Sequence, residues 1–230
     1  MRSRLLCATA LTTTILFLVP GISLAQSAYN WTGRYVGASI GVVESTSTET
    51  FTYSGTPGLP GSIDLSGSGL AGTLDAGYNL QTGSVVFGLE GDITGLARKD
   101  SGLSSGANSI TVNGTVDMLL TARGRLGISM DKLLIYGTAG LAAGHGSVNT
   151  DFGKGSSDGS AAALLGYAGG LGVEYALNDN MSLKAEGLYY HLGSLTTAGT
   201  ASSFSSPSVT YSGSYNPSGA LFRAGLNIHF

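Results

Sequence analysis

The chain has 230 residues, a formal net charge of −3, one cysteine and 37 glycines, and only 11% of its residues are charged. Soluble domains carry about 25% charged residues, and this acidic balance leaves no basic footprint for nucleic acid. The single cysteine, Cys7, excludes an internal disulfide and a thiolate metal site.

In chain order, Arg2 and Arg4 precede the apolar run LLCATALTTTILFLV, which leads to the small-residue tripeptide Ser23-Leu24-Ala25. This is the pattern of a secretory leader, with cleavage expected after Ala25, so residues 1–25 read as a signal peptide and residues 26–230 as one domain. The apolar run is about 15 residues, short of the roughly 20 that a spanning helix needs. No second candidate follows, and Cys7 leaves with the leader.

Eight segments then alternate apolar with small or polar residues: 34 to 43, 68 to 81, 85 to 94, 115 to 127, 133 to 144, 165 to 177, 181 to 192 and 219 to 230. Alternation with period two is the strand signature. Four of the seven connections are long and rich in Gly, Ser and Thr, whereas QTGS, ISMD and NDN are tight. Tight turns at one end and wide loops at the other describe an up-and-down meander.

Within each segment the charges keep to one face. Glu90 and Asp92 oppose Val85, Phe87, Leu89 and Ile93; Asp117, Thr121, Arg123 and Arg125 oppose Met118, Leu120, Ala122 and Leu126. Glu174 opposes Tyr167, Leu171, Val173 and Tyr175; Lys184 and Glu186 oppose Leu183, Ala185 and Tyr189; Arg223, Asn227 and His229 oppose Phe222, Leu226, Ile228 and Phe230. Arg34 alone shares the apolar parity, at a strand start where it can snorkel to an interface.

Parity leaves open which face is inside, since a secreted sandwich would bury the apolar one. Three features favour a membrane barrel. The polar face is unusually small (Gly37, Ser39, Gly41, Gly77, Gly88, Gly140, Gly170, Gly172, Gly225), as a narrow lumen requires. A secreted chain with so few charges suits a lipid-facing exterior on a closed ring. The last residue, Phe230, is an aromatic in phase with the apolar face. The fold expected is all-β: an eight-stranded antiparallel up-and-down transmembrane β-barrel.

The tight turns set pairings. A three-residue loop at Asn178, Asp179 and Asn180 places Glu174 opposite Lys184, and a Thr82-Gly83 turn places Asp75 opposite Glu90. Two adjacent carboxylates repel unless a cation intervenes. The expectation is therefore a lumen cluster of Asp75, Glu90 and Asp92 with Arg123 and Arg125, a second of Glu174, Lys184 and Glu186, and Arg223 near the closing seam. Such pairs either pin a barrel just wide enough for side chains or form a gate for small solutes.

Catalytic constellations are weak. His145 and His191 lie at the wide-loop ends on the lipid-facing parity, near loop serines, a pattern that as a rim acyltransferase, lipase or haem pair lacks any fixed partner geometry. His229 faces the lumen and reads as structural. GSGLAG, residues 67–72, enters a strand rather than a helix, the reverse of a dinucleotide fingerprint. No catalytic, cofactor or metal residue is assigned. Phe51 and Tyr53 in the first long loop, and Phe204, Tyr211 and Tyr215 in the last, are candidates to meet a partner, although SVTYSGSY still alternates and suits a projecting hairpin.

The stretches NWTGRYVGASIG, AGYNLQTGSVVFGLEGDI, TARGRLGISMDKLLIYGTAGLAAG, GVEYALNDNMSLKAEGLYYHLG and FRAGLNIHF closely resemble the RopB-type family of small outer-membrane β-barrel proteins of Gram-negative bacteria. The resemblance spans nearly all of residues 26–230, and is weakest in the long loops. It implies an eight-stranded barrel in the cell outer membrane, often called porin-like, with roles in envelope integrity and surface exposure. Its partners would be outer-membrane lipid and lipopolysaccharide, and the barrel-assembly machinery through a C-terminal signal ending in Phe230. Arg34 and Gly187 depart from the family pattern, which has apolar or aromatic residues there. The function expected is structural and non-enzymatic, in a monomer with a plugged lumen. The alternatives are a small-solute channel and a loop-based receptor or adhesin, for example for haem or a host surface.

Overall fold

The computed structural model describes residues 29–54, 61–97, 100–104, 110–151, 157–201 and 209–230. The leader reading and Phe204 lie outside them, and the Tyr53 and Tyr211 side chains are likewise not described. The strands are β1 (Gly33–Tyr53), β2 (Ser62–Thr82), β3 (Val85–Ala97), β4 (Asp100–Ser104), β5 (Ile110–Met130), β6 (Leu133–Asp151), β7 (Ser157–Asn178), β8 (Met181–Leu192), β9 (Leu195–Ala201), β10 (Val209–Asn216) and β11 (Ser218–His229). Every pairing is antiparallel, and β1 bonds both β2 and β11, closing the eight-stranded ring β1-β2-β3-β5-β6-β7-β8-β11. At the loop end β4 takes up the place above β3, between β2 and β5, while β10 runs beside β1 and β9 beside β10.

The long strands exceed the segments read from alternation. At roughly 3.3 Å per residue a 21-residue strand such as β1 runs about 70 Å, more than a tilted strand needs to cross a band about 25 Å tall. On β1 the outward positions Val36, Ile40 and Val42 are exposed and apolar, and the next ones are Glu44, Thr46, Thr48, Thr50 and Thr52. On the lumen side Val43 and Phe51 are buried, and so are Ser45, Ser47 and Glu49 between them. The Ser/Thr-rich stretches flanking the long loops are thus strand, with polar side chains outward where the exterior is wet.

Two-residue hairpins close the other end at Gly83-Ser84 and at Asp131-Lys132, with φ of 63° at Gly83 and 54° at Asp131. A positive φ is what these tight turns require. The β7–β8 register sets Glu174 opposite Lys184, as the three-residue loop implied. The β2–β3 register differs from expectation by one two-residue step: Asp75 faces Asp92, and Glu90 faces Gly77. The physical reason is that the turn falls at Gly83-Ser84 rather than Thr82-Gly83, a shift that keeps parity and so moves no side chain between faces.

A second difference is a register break in β5 between Val116 and Met118. Asp117, expected on the lumen face, is the extra residue of this bulge and is exposed. The bulge also lets Val116 and Leu119 both point inward.

Candidate functional site: the lumen

Side chains fill the lumen in three layers. At the turn end, Tyr29, Trp31, Val86, Leu134, Tyr136 and Ala176 pack as a floor. The Trp31 backbone N–H donates to Gln81 Oε1 at 2.7 Å, its indole Nε1–H reaches the Asp131 carbonyl at 3.4 Å, and the Tyr29 hydroxyl reaches the Asp179 carbonyl at 3.4 Å. One short segment before β1 therefore bonds to residues at all three tight turns.

Above the floor lies the ionic layer. Arg123 and Arg125, two residues apart on β5, share the lumen face by strand parity. Arg123 donates to Glu90 Oε1 at 2.5 Å and Asp92 Oδ2 at 2.7 Å from β3, and to Glu186 Oε1 at 3.1 Å from β8. Arg223 on β11 approaches Glu186 Oε2 with Nε at 2.8 Å and Nη2 at 2.5 Å, and Asp92 Oδ2 at 3.2 Å. Arg125 donates to Glu174 Oε2 at 2.6 Å and to the Tyr35 hydroxyl at 2.9 Å, with its guanidinium 3.7 Å from the Tyr136 ring centre. Tyr35 in turn donates to Glu90 Oε2 at 2.8 Å. Lys184, opposite Glu174 in register, turns to Asp75 Oδ2 at 2.9 Å and Glu90 Oε2 at 3.3 Å. Side-chain exposure across these pairs is 0 or 1%.

The two clusters read from parity are therefore a single network. Its members come from β2, β3, β5, β7, β8 and β11; some partners face each other on neighbouring strands, as Glu90 with Arg123 and Glu186 with Arg223, and others, such as Arg123 with Glu186 and Lys184 with Asp75, meet across the ring. Burial makes the partnering obligatory, because an uncompensated charge here has no water to turn to.

Tyr35 and Tyr136 carry no charge to mark them in the sequence, yet both hold Arg125 in place, Tyr35 by a hydrogen bond and Tyr136 by its ring face. Each lies over a glycine on the adjacent strand: a Cβ on Gly77 would meet the Tyr35 ring, and one on Gly172 the Tyr136 ring. The readable signal is an aromatic of lumen parity opposite a lumen glycine.

Toward the loop end, Val43, Phe51, Leu65, Val112, Val116, Leu119, Val148, Leu188, Tyr190, Leu192, Tyr215 and Leu221 form an apolar core. Phe51 and Tyr215, expected at exposed loop tips, are 5% and 0% exposed. They belong to strand positions of lumen parity, and so pack inward where the exterior is wet.

Other candidate residues fall outside this network or fail its chemistry. His145 is exposed, and His191 packs its ring 5.4 Å from that of Tyr167 on the outer face. Ser182, His229 and Glu174 do meet in the lumen, but Ser182 Oγ (2.8 Å) and Glu174 Oε1 (3.3 Å) both address His229 Nε2, and Ser182 Oγ also contacts Glu174 Oε1 at 2.5 Å. A hydrolytic triad needs the nucleophile and the acid on opposite ring nitrogens, so this is a structural knot. Arg34 is exposed at the turn-end edge, the position from which it can snorkel. Gly187 lies in a groove of about 670 Å³ on the outer face, among Leu171, Phe222, Ile40 and Val42. Phe230 is 67% exposed on that same outer face, its backbone bonded to that of Arg34.

A closed strand ring, apolar outside over a band of membrane height and charged within, defines an outer-membrane β-barrel protein. The chain belongs to the outer membrane protein beta-barrel domain family, whose model matches residues 13–230. It is 32% identical over 217 residues to the 31 kDa outer-membrane immunogenic protein of Brucella melitensis, covering 88% of this chain and 85% of that protein. With the 22 kDa outer membrane protein of Rhizobium leguminosarum bv. viciae it shares 37% identity over 121 residues, 53% of this chain and 52% of that one. Among solved structures, the outer membrane protein OprG of Pseudomonas aeruginosa superposes with a TM-score of 0.57 at 13% identity, covering 88% of this chain and 98% of that one, a likeness of fold. The resemblance read from the sequence thus holds, and the protein resides in the cell outer membrane.

Proposed function

We propose that this outer-membrane barrel is a non-catalytic structural and surface component of the envelope, with its lumen plugged. The observation that supports this most is the ionic layer, whose side chains are fully buried and lie between an aromatic floor and an apolar core. A passage for solutes would have to break several charge-assisted bonds at once and move packed side chains as well. In this reading the tight turns and Phe230 face the periplasm, as is general for such barrels. The strand ending in Phe230 serves recognition by the assembly machinery, the apolar belt meets lipid, and the polar coat above it meets lipopolysaccharide. Purified protein in planar bilayers is expected to show no discrete conductance steps. Reproducible unitary steps that persist across preparations would favour the channel instead.

A receptor or adhesin role draws on one specific feature, the strands that carry Thr46, Thr50, Ser62 and Ser66 outward beyond the belt. The similar Brucella protein is named for its immunogenicity, which fits a surface-accessible region here as well. If the projecting part binds a partner, trimming the loops while leaving the ring intact abolishes that binding and preserves heat-modifiable migration on gels.

A further inference from the structure

Of the arginines on the ring strands, Arg123, Arg125 and Arg223 point into the lumen and Arg34 alone points out. It shares the outward face of β1 with Val36, Ile40 and Val42, and the first outward acid on that strand is Glu44, at the far edge of the belt. The backbone of Arg34 is engaged: its N–H donates to the Phe230 carbonyl at 3.2 Å, and the Phe230 N–H donates to the Arg34 carbonyl at 3.0 Å. Its side chain is not. Among the described residues the Arg34 guanidinium makes no hydrogen bond and no ion pair.

Two aromatics flank this free charge on the same face. Tyr78 of β2 is its direct register partner, and Phe230 stands on its other side, and both rings are exposed. The Tyr78 hydroxyl likewise has no hydrogen-bond partner among the described residues. Aromatic rings of this kind mark the edge of a membrane belt, with the ring toward hydrocarbon and any hydroxyl toward the headgroups. The other outward positions at this end of β1, β2 and β11 are Val36, Leu80 and Ile228, so no acid is at hand on them. One outward step toward the loop end, Ala76 faces Gly91 across β2 and β3. These two small residues floor an open groove of about 420 Å³ on the outer face, walled by Leu74, Ile93 and Leu120. Unused donors at the belt edge therefore stand beside a hollow in the apolar surface.

We propose that Arg34 and Tyr78 bind the phosphodiester of a membrane glycerophospholipid, with one acyl tail lying in the groove over Ala76 and Gly91. A guanidinium presents a planar fork that takes two phosphate oxygens at once, and the Tyr78 hydroxyl adds a further donor. Phosphate is the anion that a bilayer places where hydrocarbon gives way to headgroups. A cation held below that level is costly, so the apolar stem of Arg34 carries the charge out to it. Solvation by water alone also satisfies the guanidinium, but it gives no preference among lipids. That this leaflet is the periplasmic one rests on the orientation proposed above. The binding itself does not, and it does not depend on whether the barrel conducts.

Native mass spectrometry of the full chain refolded in detergent tests this. The probe is dioleoyl phosphatidylglycerol, and the comparison is dioleoylglycerol, which has the same tails and no phosphate. One phosphatidylglycerol is expected to stay bound at collision energies that strip the micelle and remove the diacylglycerol. Arg34→Gln is expected to keep heat-modifiable migration, since the side chain bonds no described group, and to lower the bound fraction several-fold. Arg34→Lys keeps the charge without the fork and is expected to fall between the two. Tyr78→Phe removes a single outward hydroxyl and is expected to lower retention by less than Arg34→Gln does. Inorganic phosphate in excess is expected to leave the lipid bound, because it has no tail for the groove. Equal retention of phosphatidylglycerol by wild type and Arg34→Gln overturns the proposal, as does equal retention of the diacylglycerol by wild type. Displacement by inorganic phosphate overturns the assignment to a lipid. If Arg34→Gln fails to fold, undiminished retention in Tyr78→Phe overturns the site. Conductance plays no part in the readout, so failure here leaves the plugged-lumen reading untouched.

Discussion

The two halves of the barrel share one backbone pattern and opposite chemistry. Near the tight turns the outward side chains of β5 are Leu120, Leu126, Ile128 and Met130, and the inward ones include Arg123 and Arg125. Beyond the bulge the same strand turns Asn113 and Asp117 outward and Val112 and Val116 inward. Lipid on the outside forces the polar groups of the lower half into the lumen, where they must satisfy one another. Water on the outside lets the upper half close over a mainly apolar core, with Glu49 the charged residue that β1 buries there. Stability in the lower half thus depends on complete pairing, and in the upper half on packing volume.

The sharpest way to break the comparison is to remove cations from the lower half. Replacing Arg123 and Arg125 with Ala leaves Glu90, Asp92, Glu174 and Glu186 short of partners. Uncompensated buried charge costs about 3–5 kcal/mol per broken pair, so loss of the heat-modifiable gel shift, or a steep fall in its midpoint, is expected. An unchanged midpoint would show that the layer is not held by these pairs. In the upper half, Leu192→Ala opens a cavity in the apolar core at a cost of about 2–4 kcal/mol. Because the ionic layer is untouched, the urea midpoint in detergent is expected to fall without any new conductance. Smallest of all, Thr50→Val on the outer face of the projecting half is expected to move the midpoint by less than about 0.5 kcal/mol. A larger effect would mean that this face is not simply solvated.

Parity is the level at which the sequence was most legible. The lumen face of every charged network residue follows from period-two alternation, and the β7–β8 register follows from a three-residue turn. The β2–β3 register did not, because QTGS accommodates turns one residue apart whose registers differ by two, and parity is blind to that shift. The bulge at Asp117 adds one residue to a strand without leaving a Gly or Pro to mark it. The projecting strands looked like loops because threonine outward and valine inward is a weaker contrast than leucine outward and arginine inward. Partners across the lumen, such as Lys184 with Asp75, depend on the stagger of the whole ring, which no local pattern encodes. Trp31 and Tyr29 have no strand signal of their own in the sequence, because they precede β1.

Those two aromatics bear on the order of assembly. Their bonds join residues 150 positions apart between Tyr29 and Asp179, and 100 between Trp31 and Asp131, and such contacts recover the entropy of closing long chain segments only after the intervening hairpins exist. The three tight turns can form locally, each from neighbouring residues, but their common anchor needs all three already in place. The segment at 29–31 therefore acts as a latch across the three turns.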